Sequence, residues 1–295
     1  MKEIRQIYNF LKEHPLTRGH STSALFRFAR WQVMSRLRER LEVPFVGDSR
    51  LVVKKGMVGA TGNIYVGLAE FPEMSFLLHV LRPGDLFVDA GANVGVFTVL
   101  ASAVAGADSV AFEPVPETFH WLEENVRVNK MTQKVRALNM GLGEESSTIH
   151  FTKNLDSVNH VVMNPVNTED TIPVKVDRLD VSIAPRFPFL MKIDVEGFEY
   201  QVINGATRVM ENPTLSAIII ELNGSGRRYG IEDKQIKERL EGYGFKPHYY
   251  EPLSRNLFSV DETWKGDNVI YIRNEEVVRD RIRSADKINV LNHRF

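Results

Sequence analysis

Short apolar runs that end on a polar residue set the rhythm of the chain. Leu86, Phe87 and Val88 lead to Asp89, SVAFE (109–113) ends on Glu113, and KVRALNM (134–140) ends beside Gly141. PFLMKIDVEG (188–197) ends on Asp194, Glu196 and Gly197, and LSAIIIELN (215–223) on Glu221 and Asn223. Continuous apolar runs bounded by proline or glycine predict strands buried on both faces. Between them the period changes to that of a helix. One helix leaves the turn at Gly91 and Gly95 and stops near Gly106. A second (117–129) is started by Pro114 and Pro116 and carries Phe119, Leu122 and Val126. A third (198–211) carries Val202, Ile203, Val209 and Met210 on one face. Strands separated by helices of this length predict a parallel sheet with right-handed crossovers. A helix over 233–244 and an antiparallel pair, FKPHYYEP with NVIYIRN, are expected to close it.

The flanks follow other patterns. Residues 1–44 read as helical and basic, with Arg27, Arg30, Arg36, Arg38 and Arg40 set among Leu25, Phe28, Trp31, Val33, Leu37 and Leu41. Either the arginines reach solvent from a docked helix, or they meet an anionic membrane or a polyanionic partner. Residues 49–67 alternate and turn (RLVVKKG, GATG, NIYVG) and predict a β-hairpin, and a short helix follows over 72–81. Residues 147–187 break the rhythm: TIHFT (148–152) and IPVKV (172–176) alternate around the polar stretch NLDSVNHVVMNPVNTED, an irregular insertion of the functional or disordered kind. The tail beyond Asn274 is charged and is expected to be peripheral. The expected organisation is an extension (1–70), a core domain (71–275) and a tail (276–295), with no internal repeat and no long linker.

Composition narrows the class without choosing it. The 295 residues are 43% hydrophobic and 25% charged, ordinary for a globular chain, and a net charge of −1 argues against a dedicated nucleic-acid binder. Cysteine is absent, which removes disulfides and thiolate chemistry and suits a reducing compartment. The N-terminus has acids in its first turns and so does not resemble a signal peptide. The longest mostly apolar run, 94–107, falls short of the roughly 20 residues that span a bilayer. The expected location is cytoplasmic.

A strand, a glycine-bearing turn and a helix start at 85–106 together form a place where a ligand can reach bare backbone, with N–H groups expected to be free there. In an open parallel sheet such a ligand sits beyond the carboxyl ends of the strands. Candidates are therefore Asp89, Asn93, Glu113, Asn139, Asp194, Glu196, Glu221 and Asn223. A P-loop is excluded because no lysine follows the turn. A nicotinamide dinucleotide needs G-x-G-x-x-G, whereas Gly91-Ala92-Asn93-Val94-Gly95 makes one long step and Asp89 would repel pyrophosphate. Glu113 suits either a dinucleotide or another ribose-bearing ligand. S-adenosylmethionine fits better: it carries an ammonium for an acidic neighbour, two ribose hydroxyls for Glu113, and no phosphate.

DAGANVGVFT, AFEP, KIDVEGFE and IIIELN, in that order at strand ends across residues 75–225, resemble the FkbM family of S-adenosylmethionine-dependent methyltransferases. The resemblance implies an α/β, Rossmann-like class I methyltransferase fold with a seven-stranded sheet of order 3-2-1-4-5-7-6, the last strand antiparallel, behind an N-terminal helical and β extension. It also implies methyl transfer to a hydroxyl oxygen of a sugar, polysaccharide or natural product. Asp89, Gly91, Ala92, Asn93 and Gly95 would form the cofactor loop, Glu113 with Pro114 would meet the ribose, and Asn139 and Met140 would lie near the adenine. The usual adenine-side aspartate is missing there.

A sugar hydroxyl needs a general base. Asp194 and Glu196, at the end of the fourth strand, are the first candidates, although Glu196 also suits a helix start and Asp194 the cofactor's ammonium. His160, in the insertion, is the third. A metal-assisted version would use Asp194, Glu196 and Glu221 around magnesium, but no two-histidine spacing is present and no metal is expected. A nucleic-acid methyltransferase would bring an N/D-P-P-aromatic strand end or a cysteine, and neither exists. The remaining alternatives are an NAD-type oxidoreductase and a non-catalytic cofactor binder on the same fold. Tyr65, Phe71, Tyr250 and Trp264 could stack on a sugar face or simply pack. The acceptor and the oligomeric state are not written in the sequence.

Overall fold

The computed structural model describes residues 2–152, 160–162, 171–261, 264 and 266–295. Its centre is one sheet built from β1 (Leu86–Ala90), β2 (Asp108–Phe112), β3 (Val135–Leu138), β4 (Leu190–Ile193), β5 (Ala217–Glu221), β6 (Lys246–Glu251), β7 (Asn256–Ser259) and β8 (Asn268–Ile272). The strands lie in the order β3-β2-β1-β4-β5-β8-β6-β7. Strands β1 to β5 are mutually parallel, and β8 runs antiparallel to both β5 and β6. Among the described residues the sheet thus has eight strands where seven were expected. The added one, β7, is the hairpin partner of β6, from His248 opposite Ser259 to Glu251 opposite Asn256. Its sequence, NLFS, is too short and polar to announce a strand, and only pairing with β6 makes it one.

Period-2 alternation sends neighbouring residues of each strand into two different cores. Phe87, Ala111, Leu190 and Ile219 pack on one side with Leu11, Trp31, Val66, Phe76 and Val278. Val88, Val110, Met191 and Ile220 pack on the other with Val202, Leu240 and Phe245. Helices α1 (Lys2–Glu13), α2 (Ser21–Leu37), α3 (Val58–Val66) and α4 (Phe71–Val80) belong to the first layer. One apolar cluster therefore runs across the expected boundaries at residues 70 and 275.

Several local expectations need correction. The hairpin joins Leu41–Pro44 to Arg50–Val53, and NIYV ends helix α3, with Gly67 as its cap. Asn63 is the reason: its Oδ1 accepts the Ala69 N–H at 2.8 Å and its Nδ2 donates to the Gly59 carbonyl at 3.3 Å, stitching the helix to the loop beyond it. The helix expected over 198–211 is two, Glu199–Asn204 and Thr207–Glu211. They part at Gly205, where a Cβ would stand 1.9 Å from the Gly143 carbonyl oxygen. The C-terminal segment is not peripheral. It forms a helix, Glu275–Ser284, that buries Val278 and Ile282 and bonds Arg281 to Asp85, and Phe295 is buried against Phe71 and His79.

The break at 147–187 is a small second sheet. Ser147–Thr152 lies between Thr171–Asp177 and Val161–Val162, and Gly141–Leu142 flanks Thr171–Asp177. Most of the polar stretch, 153–159 and 163–170, lies outside the described residues.

Candidate functional site

The carboxyl ends of β1, β2, β4 and β5 surround a cavity of about 430 Å³. It sits between β1 and β4, where the order of strands reverses, which is where this architecture leaves a crevice. The turn after β1 forms its floor. Gly91 has φ of +83°, and Asn93, at +51°, also takes the left-handed form. A side chain on Gly91 could not fit, because a Cβ would stand 1.8 Å from the Asp194 carbonyl oxygen.

The N–H groups of this turn are not free, contrary to expectation. Those of Gly91 and Ala92 donate to the Phe112 carbonyl at 3.0 and 2.9 Å, and Gly95 N–H donates to Ala92 at 2.8 Å. Asn93 N–H donates to Glu113 Oε2 at 3.0 Å, and Val94 N–H to Asn93 Oδ1 at 2.7 Å. Three of these donors are spent on backbone carbonyls and two on side chains, so the turn is not a nest for phosphate.

Charge in the cavity points the same way. Seven of its lining residues are acidic and one, Lys192, is basic. Asp89 is 1% exposed; its Oδ2 accepts from Thr98 Oγ1 at 2.6 Å, while Oδ1 is buried without a hydrogen-bond partner among the described residues. Burial pushes its carboxyl up, against the pull of Lys192. Glu113 is buried too, and its Oε1 accepts the Val115 N–H at 2.9 Å, so both oxygens are held by backbone. Burial raises it to about 7, outweighing those bonds. Each held oxygen keeps a lone pair for a further donor.

The second half of the site lies at the ends of β4 and β5. Lys192 Nζ donates to Asp194 Oδ2 at 2.5 Å and stands 4.7 Å over the Phe97 ring. Burial opposes its charge, but Asp194, Glu70 and Asp89 outweigh burial and hold the ammonium well above its usual range. Carboxylate oxygens of Asp194, Glu196 and Glu221 lie within 4.8 Å of one another. Crowded acids cannot all ionise cheaply. Burial, then the charge of Asp194, raises Glu196 to about 7 and Glu221 to about 8. Among the described residues Glu221 Oε2 is buried without a hydrogen-bond partner. Three such oxygens could also grip a divalent cation.

Of the expected residues, Asp89, Gly91, Ala92, Asn93, Glu113, Pro114, Met140, Asp194 and Glu196 line this cavity. Gly95 does not; it turns the chain at φ +85° against Leu122. Asn139 does not either, since its Nδ2 donates to the carbonyls of Glu113 and Pro114 at 2.9 and 3.1 Å and so shapes the loop. His160 stands on the small sheet, its N–H bonded to Thr152 Oγ1 at 3.0 Å, outside the lining set. Tyr65, Phe71 and Tyr250 are core side chains, and Trp264 packs on Tyr249 at 5.0 Å. Glu70 and Asn268, which meet at 3.1 Å in the cavity wall, and Phe97 beneath Lys192 were not among the expected site residues. Phe97 had a signal, at the start of the helix two residues beyond Gly95. Glu70 and Asn268, nearly two hundred positions apart, had none.

A doubly wound sheet and an acid-lined crevice at its reversal point suit a ligand that carries positive charge. Residues 89–247, over half of the chain, match the methyltransferase FkbM domain, and the chain belongs to that family. It is similar to the hexuronic acid methyltransferase AglP of Haloferax volcanii, 29% identical over 167 residues, 56% of this chain and 64% of that one. It is also similar to Methyltransferase 1 of Beauveria bassiana, 28% identical over 163 residues, 47% of this chain and 61% of that one. The match to 31-O-demethyl-FK506 methyltransferase FkbM of Streptomyces tacrolimicus is 26% over 209 residues, 59% of this chain and 78% of that one. The chain thus matches less than two thirds of the length of the first two relatives.

Proposed function

We propose that the protein transfers the methyl group of S-adenosylmethionine to a hydroxyl oxygen of a sugar or sugar-like natural product. The observation that carries this reading is the buried Asp89 Oδ1, without a hydrogen-bond partner among the described residues, in an acid-lined cavity whose turn from Gly91 to Gly95 has its N–H groups already bonded. A dinucleotide would bring pyrophosphate against a lining of seven acids and one lysine, and the lysine already faces Asp194. The methyl donor brings an ammonium and a sulfonium instead. Asp89, with Asp194, would hold the donor's amino acid end, Glu113 the ribose hydroxyls, and Met140 the adenine side. A hydroxyl acceptor is favoured by Glu196 and Glu221, two acids of the lining beside Asp194. The named substrates of two relatives, a hexuronic acid and a demethylated FK506, are both of this hydroxyl-bearing class.

The donor supplies a methyl carbon whose bond to sulfur breaks as a bond to oxygen forms. The protein has to hold the acceptor in line and remove its proton. Lys192 fixes Asp194, which leaves Glu196 and Glu221 to take that proton. Their raised affinity for protons near neutral pH suits the task. Incubation with methyl-labelled donor and a panel of glycans, then mass analysis, tests the reading. Label on a hydroxyl oxygen supports it, and donor binding without transfer to any member favours a non-catalytic binder.

A further inference from the structure

A second cavity, of about 510 Å³, lies on the N-terminal layer between α2, the Leu41–Pro44 strand and α3. Its chemistry is the reverse of the first. Arg27, Arg30 and Arg38 line it together with Trp31, Met34 and Phe45. Neighbouring arginines are committed to carboxylates: Arg40 to Glu124 at 3.0 Å, and Arg50 at 3.0 Å to Glu42, the acid among the cavity's own lining residues. Among the described residues, no acid stands within ion-pair distance of Arg27, Arg30 or Arg38. Arg27 is half-buried, with its Nε donating to the Tyr65 carbonyl at 2.8 Å. From His14 to Arg38 the chain has five arginines and no acid, although its overall charge is −1. A half-buried guanidinium beside apolar side chains, without a counter-charge, calls for an anion.

The outer face of the same helix shows which anion. Phe26, Val33 and Leu37 are 69%, 58% and 73% exposed, and their spacing of seven and four puts them on one face, with Arg30 among them. A nucleic acid or a free phosphate has no use for three exposed apolar side chains. An uncharged apolar ligand has no use for three arginines. A lipid surface uses both, because an apolar row bordered by cations settles at the boundary between headgroups and acyl chains.

We propose that α2 docks on a membrane containing anionic phospholipid, with the phosphate of one headgroup held in the second cavity by Arg27, Arg30 and Arg38. Flotation of the full chain with phosphatidylcholine vesicles, with and without phosphatidylglycerol, tests this. The expected result is binding at least about tenfold tighter to the anionic vesicles. Arg30→Gln/Arg38→Gln should weaken that binding about 30-fold, each arginine near a surface contributing about 1 kcal/mol. Phe26→Ser/Leu37→Ser should weaken it by a similar factor while leaving binding of inorganic phosphate unchanged. All four side chains are exposed, so the fold should survive, as the thermal midpoint will show. Lys234→Gln/Lys237→Gln removes the same charge from a helix packed on the opposite face of the sheet and should change nothing. Equal binding to both vesicle types, no binding to either, or an equal loss in the lysine variant overturns the proposal. So does full vesicle affinity in the Phe26/Leu37 variant, which would leave an arginine site for soluble anions.

Discussion

Gly91 and Asp194 meet through backbone alone: a Cβ on the glycine would stand 1.8 Å from the Asp194 carbonyl oxygen. The turn that carries the donor site and the strand end that carries the acid cluster are thus locked together. Gly91→Ala must move one of them and also hold alanine at a φ of +83°. Strain and overpacking should together cost about 2–5 kcal/mol. The expected outcome is a lowered thermal midpoint together with a large loss of donor affinity in calorimetry. A variant with unchanged midpoint and affinity would mean that this contact does not shape the site.

The acid cluster predicts an order among variants. Removing the proton acceptor should lower kcat by about 10²–10⁴-fold with little effect on donor binding. That loss is expected for Glu196→Gln or Glu221→Gln. Asp194→Asn, which removes the charge that faces Lys192, should reduce donor affinity as well. His160→Ala, outside the cavity lining, should keep its turnover. Full turnover in both glutamine variants would move the base elsewhere.

Stability should depend on pH in an unusual direction. Burial raises Glu113, Glu196 and Glu199 to about 7 and Glu221 to about 8, each from 4.5. The folded chain therefore holds protons that the unfolded chain has already released. Their stabilisation is complete below about pH 4.5 and is lost as pH rises through about 7 to 8. Without donor, the thermal midpoint should fall between about pH 6 and 8. The cationic donor favours the ionised acids, so it should stabilise the protein more at the upper end. A midpoint that rises across this window contradicts the assignment.

The Asp194, Glu196 and Glu221 oxygens are close enough for a divalent cation, yet Lys192 already places a positive charge against Asp194. Activity is therefore expected to survive dialysis against a chelator. Loss of turnover on chelation, restored by magnesium, would make the cluster a metal centre and remove Glu196 and Glu221 as bases.

What the sequence disclosed and what it hid follow one division. Buried parallel strands such as Ala217–Glu221 are apolar on both faces, so their runs and polar ends were legible, and Asp89, Glu113, Asp194 and Glu196 came with them. NIYVG misled because its alternation resembles a strand, whereas Asn63 and the packing around it decide for a helix. Gly91 was visible as a turn residue, but the turn's spent N–H groups were not. They depend on the Phe112 carbonyl and the Glu113 carboxylate, which arrive from a strand twenty residues away. Glu221 was legible as a strand-end acid. Its crowding against Glu196 is a matter of distance, which spacing along a chain does not encode.

Calorimetry of S-adenosylmethionine and of NAD with the parent protein and with Glu113→Gln tests the central claim most directly. The parent should bind the methyl donor and prefer it to the dinucleotide. The variant should lose roughly 10- to 100-fold in donor affinity, as expected when hydrogen bonds to a charged acceptor go. Undiminished affinity in the variant, or tighter binding of the dinucleotide by the parent, would contradict the account.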